Sequence, residues 1–394
     1  MIGYERRGLL PLKPHTAFRD AEGRLYHEHC FTLEGFDGPF SILYHRRPPQ
    51  NHSGGEAVAR LWGERTEAGS VDTLALRRRH FATFNQLDGG TPTTGRIPLM
   101  FNGDLTVGSV RPTASDPFCF ANGDGDEVLY CQAGGGEVRS WFGVLRFGPG
   151  DYVVIPRSVV HRIELAPGPQ HWFWMECRSP VRIPKQYRNG IGQLRMDAPY
   201  TARDFQAPEW TGGVIDPVSD AHPTVISKRR DRFTRHQWAG PVFDAVGWDG
   251  TVYPFVFPIR QFSPKAGQVH LPPTVHGTFA TGGSLICSFV PRMVDFGEGA
   301  IPCPYPHSNT DVDEVIFYCD GDFTSRRGLS AGSISFHPAG VPHGPHPGAY
   351  ERSIGVRSVG ELAVMIDTFE PLRITPQGQA LEAPDYDESW KEPQ

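Results

Sequence analysis

At 394 residues the chain is long enough for two or three domains with a sizeable core, and its net charge of −6 excludes a polyanion-binding character, so nucleic acid is not an expected partner. Its 45 glycines and 37 prolines favour many short strands joined by turns over long helices. There is no apolar run of membrane-spanning length, no secretory leader, and no CxxC pair among the seven cysteines, so a cytoplasmic protein without membrane partner or disulfide framework is expected.

In chain order, residues 1–50 carry strand-like patches such as Leu25-Tyr-His27-Glu-His29-Cys30 and Phe40-Ser-Ile-Leu-Tyr44. His27 and His29 share a face but lack a third ligand at sensible spacing, which favours a structural role. Residues 50–70 are polar and glycine-rich and read as an exposed loop, and Arg77-Arg78-Arg79-His80 reads as a solvated or ion-paired face. A barrel-like region begins at Leu99. Residues 180–240, with their scattered Pro, Gly, Arg and Asp, read as a connection with room for a helix. Residues 241–301 return to short strands such as Val252-Tyr-Pro-Phe-Val-Phe. Leu362-Ala-Val-Met-Ile-Asp367 reads as the final strand, followed from Pro376 by a loosely ordered tail.

The most informative stretch runs from Pro302 to Pro347. It contains His307-x-Asn309-x4-Glu314-x6-Gly321, then Gly332-x5-Pro338-x-Gly340-x2-His343. Two imidazoles and one carboxylate on one side of a divalent ion leave the opposite positions open, the arrangement used by non-haem iron oxygenases. Glu314 opens the strand-like run Val315-Ile-Phe-Tyr318, and alternation turns Glu314, Ile316 and Tyr318 to one face. His307 lies seven positions earlier and reaches that face only if the intervening segment bulges or turns. Asp313 competes with Glu314 as the carboxylate, although Glu314 fits the spacing to Gly321. Both halves of the stretch match the paired motifs of cupin barrels.

An echo of this pattern occurs earlier. Phe120, Asn122, Glu127 and Gly134 repeat the spacing of His307, Asn309, Glu314 and Gly321, and Gly150, Pro156 and His161 repeat that of Gly332, Pro338 and His343. The repeat gives a mainly β fold of two tandem cupin (double-stranded β-helix, jelly-roll) barrels with few helices. The expected domains are 1–240, a region containing a degenerate metal-free cupin with its core about 99–180, and 241–394, the metal-binding cupin. Phe120 cannot ligate a metal, so one metal per chain is expected, with Glu127 and His161 hydrogen-bonded as a buried pair.

Further segments make the pattern more specific: Gly247-Trp-Asp-Gly-Thr-Val-Tyr253-Pro254, Gln268-Val-His270-Leu-Pro-Pro-Thr-Val-His276, Phe289-Val-Pro-Arg292, Pro304-Tyr-Pro-His307-Ser-Asn309 and Pro347-Gly-Ala-Tyr-Glu351-Arg-Ser-Ile-Gly. Together they resemble homogentisate 1,2-dioxygenases, especially the shorter bacterial branch, over nearly the whole chain. The resemblance implies Fe(II) held by His307, Glu314 and His343, and opening of the homogentisate ring with O2 to give maleylacetoacetate in aromatic amino-acid catabolism. It implies His270 as the general base at a ring hydroxyl, Tyr305, Phe323, Arg326 and His337 around a small aromatic substrate, and a homo-oligomer, trimer or hexamer. One position departs from the family: Phe323 stands where a tyrosine contacts the substrate carboxylate, while Arg326 keeps the positive charge. The alternatives are a metal-dependent cupin isomerase, in which the ion polarises a sugar carbonyl, and a bicupin binding protein without catalysis.

Overall fold

The computed structural model describes residues 2–67, 75–321, 323, 326 and 328–391. Strands dominate, in keeping with the turn-rich composition, and the three α-helices among the described residues are five residues each. Among the described residues no helix is long and apolar enough to cross a membrane.

The first barrel consists of two seven-stranded sheets. One centres on Asp126–Ala133, His171–Cys177 and Leu105–Val110, with Asp151–Ile155 and Arg96–Phe101 outside them. The other runs from Gly143–Phe147 through Gly136–Ser140, His161–Leu165 and Cys119–Asn122 to Thr224–Arg229, Arg232–Gln237 and Glu56–Val58. The second barrel is built on a six-stranded sheet in the order Gly277–Ala280, Ser284–Phe289, Leu362–Thr368, Asp313–Asp320, Ser333–His337, Arg79–Ala82. A smaller sheet of four strands joins Glu5–Gly8 and Ala245–Gly250 to Phe40–His45 and His27–Thr32.

Strands cross the sequence position of the expected boundary near residue 240. Arg79–Ala82 pairs with Ser333–His337, Phe255–Pro258 pairs with Asp151–Ile155, and Arg373–Ile374 pairs with Arg96–Phe101. One hydrophobic cluster runs through both barrels. At their junction Phe317 stacks on Phe173, centroids 4.8 Å apart, and meets Tyr130 at 6.0 Å. Phe317 is on the strand that carries Glu314, so the back of that strand is cemented to the first barrel while its front faces the second barrel's interior. Full burial of one such aromatic side chain contributes about 1.5–3 kcal/mol.

Three expectations are corrected. In the 50–70 loop, Trp62 is buried in the first barrel against Phe120, Trp174 and Phe233; residues 68–70 of that loop lie outside the described residues. The 180–240 connection does hold a short helix, Pro217–Ala221, but it also contributes the hairpin Thr224–Arg229 and Arg232–Gln237 to the barrel. Its turn places Arg230 and Asp231 at φ 51° and 58°, a conformation unfavourable without glycine. The Asp124 carboxylate holds it by accepting both backbone N–H groups, at 2.6 and 2.8 Å. Finally, the tail from Pro376 is packed: it forms the helix Pro376–Ala380 and the 3-10 turn Asp387–Trp390. Glu382 accepts from Arg77 and Arg79, at 2.9 and 2.6 Å, and Arg78 pairs with Asp387 at 2.7 Å. The basic cluster is therefore an ion-paired face, and it ties the chain's end to the second barrel.

Candidate metal centre

Glu314 sits at the start of Asp313–Asp320, the strand flanked by Ser333–His337 and Leu362–Thr368, and is only 4% exposed. The cross-strand register sets it opposite His337 on one side and Asp367 on the other. Asp313 turns away: its two oxygens accept the backbone N–H groups of Ala339 and Leu372, at 2.8 and 2.7 Å. Alternation therefore resolves the two acids into a loop clamp and an inward carboxylate.

His307 joins Glu314 by a turn rather than by strand continuity. It forms an isolated antiparallel bridge with His343, each backbone N–H donating to the other's carbonyl, at 2.8 and 2.9 Å. This bridge sets the two imidazoles 4.3 Å apart, centroid to centroid. His343 Nδ1 lies 2.9 Å from the Val341 carbonyl and His307 Nδ1 lies 3.3 Å from that of Tyr305. A proton on each Nδ1 leaves each Nε2 with a free lone pair. His343 Nε2 is buried without a hydrogen-bond partner, 3.7 Å from Glu314, and His307 Nε2 is 3.9 Å from Glu314. Donor atoms of His307, Glu314 and His343 all lie within 4.8 Å of one another. Two imidazoles and a carboxylate converging from one side, with an orphaned nitrogen among them, fit a divalent first-row metal.

The neighbours prepare this donor set. His337 is fully buried, places Nδ1 2.6 Å from Glu314 Oε1, and stacks on His343 at 4.7 Å. Burial pushes His337 down to about 4, against the pull of Glu314, so it is neutral at neutral pH and donates its Nδ1 proton. Burial works against a charged Glu314, but the His337 hydrogen bond and the surrounding positive potential hold it down to about 2. Asp367, half-buried beside Glu314 with its Oδ1 buried and unpartnered, is pushed up to about 7 by desolvation and by the Glu314 charge.

A cavity of about 320 Å³ opens in front of the centre. His307 and Glu314 are in its wall with His270, Tyr305, Arg326, Ile316 and Tyr318, so the strand's inward face is the one alternation assigns. His270 is edge-on to Tyr305 at 5.0 Å, and burial lowers its basicity. Arg326 donates Nη1 to the Gly344 carbonyl and sits 5.7 Å from the Trp390 ring, with Nε buried and unpartnered. Phe323 packs edge-on against Tyr318 at 4.9 Å and is not among the cavity-lining residues; its neighbours Asp322, Thr324 and Ser325 lie outside the described residues. Cys303 is buried and lines the cavity, while Cys319 is buried away from it.

Sequence reasoning passed over two contributors. Asp295 and Trp390 stand outside any metal motif, yet Asp295 lines the cavity beside His270 and Trp390 braces the His343 loop by donating Nε1 to Gly344, at 3.2 Å. For Asp295 the only sequence signal is its place three residues after Arg292; for Trp390 it is an aromatic residue in an otherwise polar tail.

Residues 108–259 match the family model described as homogentisate 1,2-dioxygenase N-terminal, a match on the first barrel and its junction rather than on the centre itself. The chain is 33% identical, over 99% of both chains, to a Saccharolobus solfataricus protein named "Putative dioxygenase". It is 26% identical to the homogentisate 1,2-dioxygenase of Bradyrhizobium diazoefficiens, over 98% of this chain and 90% of that one. Among solved structures it is similar to a cupin 2 conserved barrel domain protein from Leptotrichia buccalis, at 9% identity and TM-score 0.34, covering 74% of this chain and 96% of that one.

Proposed function

The chain belongs to the homogentisate 1,2-dioxygenase family, and from that premise we propose that it opens the ring of homogentisate or a close hydroquinone analogue with O2, using Fe(II). The product would be maleylacetoacetate or its analogue. The observation that carries the reading is the convergence of His307, Glu314 and His343 at the wall of a 320 Å³ cavity that also holds His270 and Arg326. Fe(II) held by those three side chains would supply open coordination positions and the electrons that dioxygen chemistry needs.

The chain's own residues would do the rest. His337 keeps Glu314 ionised and oriented through the 2.6 Å contact. His270, neutral at neutral pH, takes the proton of a ring hydroxyl, since a phenol binds a cation best as its anion. Tyr305, beside His270, flanks the ring, and Arg326 receives the carboxylate arm through its unpartnered Nε. Phe323 provides no hydroxyl for that arm, so recognition of the charge falls on the guanidinium. The largely apolar remainder of the wall, Phe289, Ile316, Met365 and Val356 among it, suits an aromatic ring.

The test is anaerobic reconstitution with Fe(II), followed by O2 consumption on hydroquinones with and without an acetate arm. Uptake of one O2 per ring opened is expected. Turnover of a sugar phosphate without O2 uptake would instead identify a cupin isomerase, and overturn the reading.

A further inference from the structure

We propose that Asp295 is the positioning residue of His270, forming with it an Asp–His pair that fixes the imidazole's tautomer and supports it as it takes up a proton. The inference rests on the reading of His270 as the base, and goes beyond it by assigning the group behind the base.

The geometry comes from two loops zipped together. Phe296 N–H donates to the Gly267 carbonyl at 3.3 Å, and Gly297 N–H to the Gln268 carbonyl at 2.8 Å. Gly297 is required for that approach, because a Cβ there would lie 2.4 Å from the Gln268 carbonyl oxygen. The zipped loops hold Asp295 Oδ2 3.8 Å from His270 Nδ1. That oxygen is buried and has no hydrogen-bond partner. An orphaned carboxylate oxygen costs about 1–3 kcal/mol, so an otherwise well-packed loop has reason to satisfy it. The neighbouring cation is committed elsewhere: Arg292 pairs with Glu361 at 3.2 Å and donates to the Val290 carbonyl at 3.2 Å. His270 is thus the group that Asp295 faces, and catalytic hydrogen bonds that are long without substrate commonly shorten in the complex.

A proton on Nδ1, directed at Asp295, leaves Nε2 on the opposite edge of the ring as the acceptor. When Nε2 takes up the hydroxyl proton, the imidazole becomes a cation and the Asp295 carboxylate offsets it. No proton passes to Asp295. The charges acting on His270 are Asp295, which raises its basicity, and Arg292 and His307, which lower it; Lys265 shares the cavity wall. Removing the carboxylate therefore weakens the base.

The experiment uses Asp295→Asn, nearly isosteric and neutral, with Asp295→Glu as the charge-retaining control. In the metal-free protein the His270 Cε1–H resonance, assigned through His270→Ala, is titrated by NMR. In the Fe(II) protein kcat/KM is followed against pH. Asp295→Asn should keep its iron, lower the His270 midpoint, move the acid limb of kcat/KM to lower pH, and reduce kcat by roughly 10- to 100-fold, the range for partners that orient a functional imidazole. Asp295→Glu should restore the midpoint, and Asp295→Asn should cause no further loss in a His270→Ala background. An unchanged midpoint in Asp295→Asn, or an equal further loss on top of His270→Ala, overturns the pair. If His270→Ala is slow while Asp295→Asn runs at the wild-type rate, the base stands and the pair falls. If His270→Ala itself runs at the wild-type rate, the base reading fails, and with it the catalytic role of Asp295.

Discussion

Glu127 and Glu314 occupy the same place in two copies of one barrel, separated by 187 residues, and meet opposite surroundings. Each follows an aspartate whose two oxygens clamp backbone N–H groups: Asp126 those of Arg157 and Val181, both at 2.9 Å, and Asp313 those of Ala339 and Leu372. Each has a histidine with Nδ1 on the carbonyl two residues back, His161 at 3.0 Å and His343 at 2.9 Å. In the first barrel the Arg96 guanidinium makes a two-pronged pair with Glu127, and Asn122 adds a hydrogen bond at 2.9 Å. Arg96 is packed between Trp62, Phe120 and Trp174, 5.0, 5.3 and 5.1 Å from their rings. Phe120 is therefore a replacement as well as a loss: where the second barrel has the imidazole of His307, the first has a ring face for a cation. The expected Glu127–His161 hydrogen bond is not made, because the 3.8 Å gap remains while Arg96 takes the carboxylate. In the next strand Glu176 is neutralised by Lys228 at 2.8 Å, whereas its counterpart Asp367 has no cationic partner among the described residues. A buried carboxylate needs a partner charge. The first barrel supplies it from its own side chains; the second presents donors that an outside cation can complete.

The largest effect should come from exchanging tests between the two sites. Glu314→Gln or His343→Ala should abolish both iron binding and O2 consumption, while Glu127→Gln and His161→Ala should leave about one iron per chain by metal analysis. Two ions per chain, or full iron in His343→Ala, would erase the contrast.

Next in size is the internal cation. Arg96 and Glu127 side chains are 0% and 1% exposed, and removing one partner of such a pair typically costs about 3–5 kcal/mol. Arg96→Met should lower the denaturant midpoint accordingly while the iron stoichiometry holds, and adding Glu127→Gln should recover part of the loss. A change below about 1 kcal/mol in the single variant would mean that Arg96 is not the neutralising charge.

The second barrel's centre was legible because its residues lie within 37 positions of one another, from His307 to His343, with glycines and prolines marking the turns between them. Strand alternation also placed Ile316 and Tyr318 beside Glu314. Arg96 was not legible, because its partner is 31 residues away and an arginine in a strand-like run carries no local sign of an internal destination. The Arg230-Asp231 turn was hidden for a similar reason: the device that holds it is Asp124, over a hundred residues upstream. Trp390 looked like part of a loose tail until its partners were known, since His346, stacked at 4.0 Å, and Arg78, at 4.2 Å, come from opposite parts of the chain.

Acid should separate the two sites. Burial lowers His343, so its Nε2 lone pair persists below the ordinary histidine range near 6.5, and Glu314 stays ionised down to about 2. Iron should be retained from pH 6.5 towards pH 5 and lost as pH nears 4, where His337 takes up a second proton and no longer stays neutral behind Glu314. In the first barrel burial works against a charged Glu127, but Arg96 holds it below its ordinary range, so no metal is expected to leave there. Fluorescence of the buried Trp62 and Trp174 should therefore stay native through the pH at which iron leaves. Simultaneous loss of iron and of that signal would show one cooperative event instead of two sites of different chemistry.

The smallest effect concerns the edge of the cavity, where charge is again supplied by an arginine. A hydroxyl donating to a carboxylate contributes about 1.5–3 kcal/mol, or roughly one to two decades in affinity, only if it reaches the acceptor. Phe323 packs on Tyr318 instead of lining the cavity, so a hydroxyl added by Phe323→Tyr would not point at the substrate without a shift of the segment. Phe323→Tyr should therefore change the KM for homogentisate less than threefold, about 0.6 kcal/mol. Arg326→Met should raise it by at least tenfold, and neither change should much alter the KM for unsubstituted hydroquinone. The arginine variant needs a control, because Arg326 also donates to the Gly344 carbonyl beside His343. Iron content measured on the same preparation separates lost recognition from a disturbed centre. A strong gain for homogentisate in Phe323→Tyr, with equal selectivity in wild type and Arg326→Met, would move the reading of the carboxylate from the guanidinium to position 323.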